Sequence, residues 1–438
     1  MATILFDGRD AYRKGGTGIA TYARLLGILA RKLGFDTQQV VSSEYPPDKK
    51  DPVLNEIRFH DVPGKRLTIS QLVKVGWRAS LGGFSDIRPT KVLNTGAVVD
   101  PTPESKKAFA STFASFKLFL IGEALYRVHG RRAVMQFDRT PDIFHATSPV
   151  PLQVRGAANL YTIHDIIPIR LPYTSLTNKK FFYNLTKELC AKADHIITVS
   201  EFSRRDIIKL TGISEDRITN THQSVSMPQH LLSRSDDAVA ADLAHIFELD
   251  MDGYFLFFGA IEPKKNVSRL IDGYLASGSK RPLVIAGGLG WQFEGDVKRM
   301  QDERFLSYRV TGERIAAERM VRHVDHVPFD QLVSLIRGAR ALIFPSLYEG
   351  FGLPVLEAML LGTPVITSNV SSLPEIAGNA ALLVDPMDVA SIARAVRTLD
   401  KDSDLCLDLT ERGRIQASKF SVERYETNMA ALYARFAS

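Results

Sequence analysis

The residues with the clearest chemical potential form one run in the second half of the chain, from Phe344 to Glu357. A buried strand is predicted to end at Phe344. A helix is predicted to begin near Leu353, with Pro354 in its first turn, where proline is tolerated. The free N–H groups from Gly350 to Leu353 would point to the carboxyl edge of the strand, with the helix dipole behind them. The run therefore predicts an anion site suited to a phosphate.

Two carboxylates flank this anion site. Glu349 stands directly before the glycine loop, and Glu357 lies about one turn into the predicted helix. Carboxylates repel phosphate and accept hydrogen bonds from paired hydroxyl groups, so one could hold a ribose and the other a hexose. A helix-capping glutamate beside a surface glutamate explains the spacing equally well. The spacing alone leaves both interpretations open.

The elements that must position these residues follow a repeating strand–helix rhythm. The chain opens with a short apolar strand from Thr3 to Phe6, a glycine-containing loop from Asp7 to Gly18 and a helical pattern beyond it. This unit is typical of a parallel, doubly wound sheet. The rhythm returns after Pro141 and again after about residue 250. Two such domains would place their strand ends on one interdomain cleft, where ligands of these sheets bind.

The predicted fold is therefore α/β, with two facing Rossmann-like domains. We expect the first domain over residues 1–228 and the second over 245–419, with the final helix, 420–438, packing back on the first. Proline interrupts the periodicity from about residue 45 to 135, which predicts an insertion of loops, short strands and one long helix over Lys106–His129. Predicted strands of the second domain are Tyr254–Phe258, Leu283–Ala286, Val324–Val327, Ala341–Phe344, Pro364–Thr367 and Ala381–Val384.

Several of these segments together resemble the family-4 retaining glycosyltransferases of GT-B fold, in particular the mannosyltransferase-like group of polysaccharide and O-antigen synthesis. The segment from Glu349 to Glu357, with its Glu-Gly-Phe-Gly-Leu-Pro core, resembles the family signature. Further motifs follow in the family's order at Gly15–Ile19, His164–Pro168, Val199–Arg204, Gly259–Asn266, Ala286–Trp291 and His326–Pro328. Residues from about 45 to 135 match no motif of the family. The resemblance implies a deep cleft and transfer of a hexose from a nucleotide-diphosphate sugar.

The resemblance also implies roles for the matching residues on the donor side. Lys264 and Lys265 would neutralise the diphosphate, which is the leaving group. Glu357 would hold the donor ribose, and Glu349 the hydroxyls of the transferred sugar. Lys265 and Glu349 are thereby also catalytic residues. Backbone contacts with the sugar or the pyrophosphate are implied for Gly350, Phe351, Gly352 and Leu353.

Other matching residues would face the donor and the acceptor from both walls of the cleft. The resemblance implies that His164 is catalytic and contacts the donor sugar or the reacting oxygen. Gly16 would approach the β-phosphate, and Gly18 and Asp165 would contact the acceptor. Val327, within the segment 326–332, would line the nucleobase pocket. A structural histidine and a solvated basic turn are plainer explanations of the histidine and the lysines, and the sequence leaves them open.

Two departures from the family pattern bear on these roles. Ala260 stands where many members carry a phosphate-binding arginine, so more of the charge compensation falls on Lys264 and Lys265. The segment Thr221–Val225 replaces the usual Asn-Gly-Val ending of the first domain. The replacement leaves open whether this segment acts as a hinge or contacts the donor.

The mechanism that the resemblance implies is transfer with retention at the anomeric carbon. The nucleotide diphosphate leaves with help from the lysines and amide dipoles, and the acceptor hydroxyl attacks from the same face. A leaving β-phosphate oxygen takes the acceptor proton. Because lysines and helix N-termini take the place of a divalent ion, neither a metal nor a cofactor is expected.

Charge and cysteine content add weaker constraints. The chain of 438 residues carries 55 Lys+Arg against 49 Asp+Glu, a net charge of +6, and residues 61–140 account for about +7 of it. Its two cysteines, Cys190 and Cys406, lie far apart, which disfavours a disulfide framework or a zinc site. Neither a signal peptide nor a membrane-spanning run is evident. We therefore expect a cytoplasmic protein.

The basic stretch 61–140 suggests an anionic partner. Five apolar residues would line one side of the predicted Lys106–His129 helix: Phe109, Phe113, Phe116, Leu120 and Leu125. One hypothesis is peripheral contact with an anionic membrane at its cytoplasmic face, or a site for a lipid-linked acceptor. The other, slightly favoured, is an insertion helix with a core face and a solvated basic face.

Other function classes compete with glycosyl transfer. A nucleic-acid-binding protein would explain the charge, but the chain lacks a recognisable RNA-binding motif, zinc finger or helix-turn-helix, so no nucleic-acid partner is expected. A nucleotide-sugar epimerase or a sugar phosphorylase is a closer alternative, although the pyridoxal lysine context of a phosphorylase is not found. The Glu262–Asn266 loop and Trp291 resemble members that use GDP-mannose or related GDP-sugars, with UDP-hexoses as the alternative. The expected partners are a nucleotide-diphosphate sugar and a glycan or lipid-linked glycan acceptor.

Overall fold

The computed structural model describes residues 1–9, 18–48, 51–61, 76, 86–96, 98, 107–291, 295, 299–300, 306–311 and 314–437. Within these ranges the chain forms two large β-sheets, one from each half of the sequence, with helices between their strands. Gly16, one of the predicted donor-binding residues, lies outside the described residues.

The described part of the first half of the chain contains ten short strands, and eight of them form the first sheet. The strands are β1 (Thr3–Asp7), β2 (Asp36–Ser43), β3 (Thr90–Val92), β4 (Ser111–Phe116), β5 (Ala133–Met135), β6 (Ile143–Ala146), β7 (Leu152–Val154), β8 (Ala158–Thr162), β9 (His195–Thr198) and β10 (Ile218–Asn220). The sheet order is β10-β9-β8-β6-β1-β2-β4-β3, while β5 and β7 form a separate parallel pair. Only β3 runs antiparallel to its neighbour in this sheet.

The helices between these strands begin at residues suited to capping. Asp51, Asn178 and Ser200 each accept a hydrogen bond from a backbone N–H in the first turn of the helix that follows. The longer helices of this half are Gly18–Lys32, Pro52–His60, Leu118–His129, Lys179–Lys192 and Glu201–Thr211, and a single turn spans Ile167–Arg170. Two short helices, Gln229–Leu232 and Asp236–Asp242, connect the two halves of the chain.

The second sheet has six parallel strands in the order β15-β12-β11-β16-β17-β18. Its members are β11 (Phe255–Phe258), β12 (Leu283–Ala286), β15 (Val321–Val324), β16 (Ala341–Phe344), β17 (Val365–Ser368) and β18 (Leu382–Val384). Between β12 and β15 in the sequence, β13 (Leu306–Thr311) and β14 (Arg314–Arg319) form a separate antiparallel pair. The helices of this half are Val267–Ser277, Phe329–Gly338, Leu353–Leu360, Leu373–Ala377, Val389–Lys401 and Ser403–Ser418. The central strands are buried throughout, as expected for parallel strands covered on both faces.

The predicted strands of the second domain are confirmed to within one residue, except for Val324–Val327, which is wrong. The strand ends at Val324, because β15 pairs with β12 from Leu283 opposite Val321 to Ala286 opposite Val324. The residues that follow form the loop before the Phe329–Gly338 helix. Val327 therefore lies at the carboxyl edge of the sheet, where ligands of such sheets bind.

The predicted long helix over Lys106–His129 is also wrong. Residues Ser111–Phe116 form β4, and a helix begins only at Leu118. The edge of β2 pairs with β4 over six residues, from Gln38 opposite Ser111 to Ser43 opposite Phe116, and this pairing overrides the helical spacing of the apolar residues. Lys117 has a left-handed backbone, with φ of 45°, and separates the strand from the helix.

The predicted apolar stripe consequently does not exist as one helix face. Phe113 and Phe116 lie on β4, and Leu120 is exposed on the helix that follows. Lys117 is not a solvated cation, because it forms an ion pair with Glu44. The backbone carbonyl of Lys107 accepts a hydrogen bond from the Arg31 guanidinium, whereas Lys106 lies outside the described residues. Membrane contact through residues 61–140 stays a prediction, but a single amphipathic helix over Lys106–His129 cannot provide it.

The last helix, Val422–Ala434, packs against the first sheet although it follows the second in sequence. The Tyr433 hydroxyl lies 2.7 Å from Nδ1 of His145 on β6, and the Tyr433 ring contacts Phe35 edge-on at 5.6 Å. Lys32 donates to Glu426 at 2.6 Å. The chain therefore crosses between the halves twice. Among the described helices, none is both long and apolar enough to cross a bilayer.

Candidate active site

The glycine loop between β16 and the Leu353–Leu360 helix is held from both halves of the chain. The Ser372 hydroxyl donates to the carbonyl oxygens of Glu349, at 2.9 Å, and of Phe351, at 2.7 Å. The Ser200 hydroxyl, in the first half, donates to the carbonyl of Gly350 at 2.7 Å. Gly352 has φ of +118°, a conformation that favours glycine and turns the chain into the helix. The loop predicted from sequence is therefore a fixed turn at the sheet edge.

The basic loop after β11 lies beside this glycine loop, because β11 and β16 are neighbours in the sheet. The Leu347 N–H donates to the Lys264 carbonyl at 2.8 Å and joins the two loops. A third loop approaches closely, since a Cβ on Gly287 would lie 2.1 Å from the carbonyl oxygen of Gly259. Glycine is therefore required at Gly287, and the loops after β11 and β12 can touch through their backbones.

Lys264, Lys265 and Glu349 form a buried charged cluster at this edge. Lys265 Nζ lies 2.7 Å from Glu349 Oε1, and Lys264 Nζ lies 3.9 Å from Glu349 Oε2. Lys264 Nζ is also 3.3 Å from Glu262 Oε1. The structure thus brings together the two lysines and one of the two glutamates that the sequence singled out.

The charges in this cluster reinforce one another. Burial alone would raise the pKa of Glu349, but Lys265 and Lys264 outweigh it and hold that pKa below its usual value. Burial likewise opposes the charged form of Lys264, yet Glu349, Glu262 and Asp165 together raise its pKa. Lys264 therefore stays cationic at neutral pH.

Glu357 has a different electrostatic environment from Glu349. Burial in the first turns of the Leu353–Leu360 helix raises its pKa to about 7, and Lys265 offsets this only in part. A carboxyl group poised at neutral pH can lose its proton when hydroxyl groups arrive to donate to it.

His164 faces this cluster from the first half of the chain, two residues after β8. Its Nε2–H donates to the Thr147 carbonyl at 3.0 Å, and its Nδ1 accepts from the side-chain amide of Gln223 at 3.3 Å. The Tyr22 ring contacts the imidazole edge-on at 4.8 Å. Both ring nitrogens are thus engaged by neutral partners, which fixes the ring orientation and the Nε2–H tautomer.

The two halves meet directly at the predicted residues. A Cβ placed on Gly350 would lie 2.7 Å from the His164 carbonyl oxygen and 3.1 Å from Asp165 Oδ2. A Cβ on Gly18 would lie 3.4 Å from a methyl group of Leu353. The glycine loop, His164, Asp165 and the start of the Gly18–Lys32 helix therefore enclose one site. Val327 lies half-buried in the loop after β15, at the same edge of the second sheet.

Comparison with known proteins decides between the function classes that the sequence left open. The model of "Glycosyl transferases group 1" matches residues 243–416, and that of "Glycosyltransferase Family 4" matches residues 98–225. The chain is 32% identical to the O-antigen chain mannosyltransferase B of Escherichia coli over 361 residues, which cover 80% of this chain and 91% of that protein. The chain belongs to the family-4 glycosyltransferases.

Further relatives support this glycosyltransferase assignment. The chain is 26% identical to the serotype-specific mannosyltransferase WbdA of Escherichia coli over 399 residues, which cover 84% of this chain but 46% of WbdA. Its fold matches that of sucrose-phosphate synthase from Thermosynechococcus elongatus with a TM-score of 0.65 at 17% identity, over 99% of both chains. The predicted GT-B fold, and the resemblance to mannosyltransferases of O-antigen synthesis, are confirmed.

Sequence reasoning missed Glu375 of this glycosyltransferase, which joins the two domains. Its carboxylate accepts the backbone N–H groups of Glu201 at 2.8 Å and Phe202 at 2.9 Å, at the start of the Glu201–Thr211 helix. The third partner is Nε2 of His222, at 3.0 Å. A carboxylate is favoured at a helix N-terminus, and here the helix belongs to the other domain. A glutamate after Ser-Leu-Pro carries no sequence signal for such a contact.

The segment Thr221–Val225, whose role the sequence left open, is part of the site. His222 pairs with Glu375, and Gln223 orients His164. Behind His164, the Nε2 atom of the buried His145 lies 2.8 Å from the Thr162 hydroxyl. Burial, with a smaller effect of His164, lowers the pKa of His145 to about 3. His145 is therefore a neutral support that links the last helix to the strand preceding His164.

Replacing Glu375 by alanine is expected to weaken domain closure by about 2 kcal/mol, because three donors lose a charged acceptor. We expect a larger radius of gyration in small-angle X-ray scattering and a kcat/KM lowered roughly tenfold or more. Glu411→Ala, at an exposed position of the Ser403–Ser418 helix, is the matched control. An unchanged radius together with unchanged kcat/KM would show that this contact does not hold the domains.

Proposed function

We propose that the protein is a retaining mannosyltransferase that moves mannose from GDP-mannose to a glycan or lipid-linked glycan acceptor in cell-surface polysaccharide synthesis. The observation that carries the proposal is the cluster of Lys264, Lys265 and Glu349 at the glycine loop, facing His164 and Asp165. Mannose is favoured because the relatives similar to this chain over most of its length are named mannosyltransferases.

In this proposal the donor-side residues stabilise the leaving diphosphate. The ammonium groups of Lys264 and Lys265 neutralise its charge, and the amides of Phe351, Gly352 and Leu353 point to it from the helix start. Glu349 accepts hydrogen bonds from hydroxyls of the mannose. In the donor-free protein the Lys265–Glu349 pair satisfies both groups, so the site is preorganised and its charges stay compensated.

Glu357 and the loop after β15 hold the nucleoside in the same proposal. The Glu357 carboxylate accepts from the ribose hydroxyls, and Val327 with its neighbours up to Leu332 lines the base pocket. Gly16 approaches the β-phosphate, while Gly18 and Asp165 face the acceptor.

The reaction step follows from the way His164 is held. The bond from the anomeric carbon to the β-phosphate oxygen breaks, the bond to the acceptor oxygen forms on the same face, and the acceptor proton passes to the departing phosphate. Both nitrogens of His164 already have partners, so the phosphate oxygen is the better proton acceptor. His164 then contributes by orienting the sugar and the reacting oxygen.

A panel of nucleotide sugars tests the donor and the stereochemistry. With a mannose-terminated acceptor, we expect GDP-mannose alone to support transfer, and we expect the one-bond C1–H1 coupling of the added residue in NMR to show the α configuration of the donor. Transfer from a UDP-hexose in place of GDP-mannose would overturn the donor assignment. A β-linked product would overturn retention, and epimerisation without transfer would favour an epimerase.

Transfer is expected to need no divalent metal, because the two lysines supply the charge compensation. Asp250 and Asp252 do not lie at the lysine–glutamate cluster, because they precede β11 and so lie at the opposite edge of the sheet. Asp252 also pairs with Arg340 at 2.9 Å. We expect the initial rate to stay within about twofold after EDTA treatment and dialysis, a change below the effect of one lost hydrogen bond. Loss of activity restored by Mg²⁺ or Mn²⁺ would contradict this prediction.

A further inference from the structure

A second recess lies at the outer end of the first sheet, apart from the lysine–glutamate cluster. It is a shallow, open depression between β2, the Pro52–His60 helix, β3 and β4, and its roughly 300 Å³ includes space open to solvent. Except for Ala114, its lining residues lie between residues 43 and 92. That stretch is outside both segments that match the family models. The recess therefore belongs to the part of this chain that the family models do not cover.

The lining combines aromatic and aliphatic side chains with hydrogen-bond donors, and the Tyr45 ring is exposed. The apolar lining residues are Tyr45, Pro46, Pro47, Phe59, Val92 and Ala114. Arg58 and Lys91 add N–H donors, and Ser43 and Thr90 add hydroxyl groups. Apolar and aromatic walls with a few polar groups are typical of small-ligand pockets. A pyranose suits this lining, because C–H groups cover its face and hydroxyls surround its edge.

A neutral sugar explains the lining better than a phosphate does. Two cations without an acidic lining residue would attract phosphate. A phosphate, however, would gain nothing from the rings and aliphatic groups that form the larger part of the surface. The Arg58 guanidinium also donates towards the Pro46 carbonyl at 3.4 Å, which directs it along the rim.

The recess lies at the same sheet edge as the candidate active site. The parallel strands β2 and β8 both end there, at Ser43 and at Thr162, two residues before His164. In the sheet order, β6 and β1 lie between them. Three strand spacings of about 4.8 Å separate β8 from β2, and β4 and β3 lie one and two strands farther out, so the recess lies roughly 14 to 24 Å from His164 along the edge. That separation is longer than one sugar ring, and a short oligosaccharide would span it.

We propose that this recess is an acceptor subsite, which binds a neutral sugar residue of the growing glycan several residues behind the one that receives the transferred hexose. The inference rests on the proposed glycosyl transfer, and it names where the acceptor chain lies. Tyr45 stacks on the sugar face, and Arg58 with Lys91 donates to its hydroxyls. The enzyme then favours acceptors long enough to reach from His164 to Tyr45.

A series of mannose oligosaccharides tests this subsite, from mannobiose through mannotetraose to mannohexaose. For the unmodified enzyme we expect the acceptor KM to fall roughly fivefold to tenfold once the chain reaches the recess, the effect of one aromatic contact. Tyr45→Ala and Arg58→Gln should remove that fall and leave kcat with mannobiose unchanged. Ile57→Ala, an exposed neighbour on the same helix, should behave like the unmodified enzyme.

Saturation-transfer NMR with mannohexaose and no donor tests binding without turnover. We expect the internal sugars to receive saturation in the unmodified protein and not in Tyr45→Ala, even if the proposed mannosyl transfer fails. The subsite is overturned if Tyr45→Ala raises KM equally for short and long acceptors. It is also overturned if the hexaose receives no saturation while inorganic phosphate shifts the resonances of Arg58 and Lys91.

Discussion

Lys265→Ala is expected to lower kcat roughly 100- to 1,000-fold, the usual effect of removing one preorganised group that stabilises developing charge. Lys265 Nζ lies 2.7 Å from Glu349, at the edge where the proposed function places the leaving diphosphate. Lys264 remains in the variant, so KM for GDP-mannose should change less than kcat. Initial rates of transfer over a range of donor concentrations measure both quantities. An unchanged kcat would contradict the leaving-group role.

The same substitution should also lower the thermal unfolding temperature, and a second variant separates the two effects. Lys265→Ala leaves the Glu349 carboxylate buried with Lys264 as its remaining close cation, and breaking a buried pair costs about 3 kcal/mol or more. Lys265→Met combined with Glu349→Gln removes both charges, so we expect it to recover the unfolding temperature but not the activity. Lys280→Ala, at an exposed turn, should change neither.

Donor affinity is expected to rise with pH through the neutral range, because the pKa of Glu357 is raised to about 7. In the proposed function the ribose hydroxyls donate to this carboxylate, so donor binding would favour its deprotonated form. As the pH rises, the dissociation constant for GDP-mannose should fall by about tenfold for each pH unit below pH 6 and become constant above pH 8. Calorimetric titration of GDP-mannose across this range, in buffers of different ionisation enthalpy, should also detect a released proton.

Glu357→Gln is the control for this pH dependence, since it keeps the side-chain size and cannot titrate. We expect affinity near that of the protonated enzyme, with a dissociation constant at pH 8 raised roughly 10- to 100-fold, the effect of losing hydrogen bonds to a charged group. Its slope against pH should be flat between pH 6 and 8. A slope retained in Glu357→Gln would show that a group other than Glu357 titrates.

The same carboxyl group makes the donor-free enzyme less stable as pH rises. Its pKa in the folded protein lies above the unfolded value, so the folded state holds the proton more tightly. The contribution is complete below about pH 4.5 and is lost as pH rises through about 7. Donor binding at pH 8 offsets this loss, because the ribose then compensates the buried charge.

Much of the donor side could be predicted from sequence because it is local. In the run from β16 to the Leu353–Leu360 helix, strand, loop and helix are contiguous, so the spacing of Glu349, the glycines and Glu357 sets their relative placement. The lysine loop follows β11 in the same way. Parallel neighbours end at one edge, so the two loops had to meet once the sheet order was known.

The first half was harder because long-range pairing decided it. The spacing of Phe109, Phe113 and Phe116 fits a helix, yet residues 111–116 pair with β2, some 70 residues earlier. Backbone hydrogen bonds to a sheet edge outweigh a weak local helical preference. Because residues 111–116 form a strand in place of the predicted helix, β2, β4, β3 and the Pro52–His60 helix line the recess around Tyr45.

Short contiguous patterns in the sequence were sufficient for the two Rossmann-like domains and the family, and they predict the residues proposed for the nucleotide sugar. The contacts of Glu375 between the domains, the hydrogen bonds of Gln223 and Thr147 to His164, and the recess around Tyr45 appear only in the folded structure. Each of those contacts joins residues far apart in the chain. Their geometry depends on how two sheets pack across a cleft, and no local spacing encodes that.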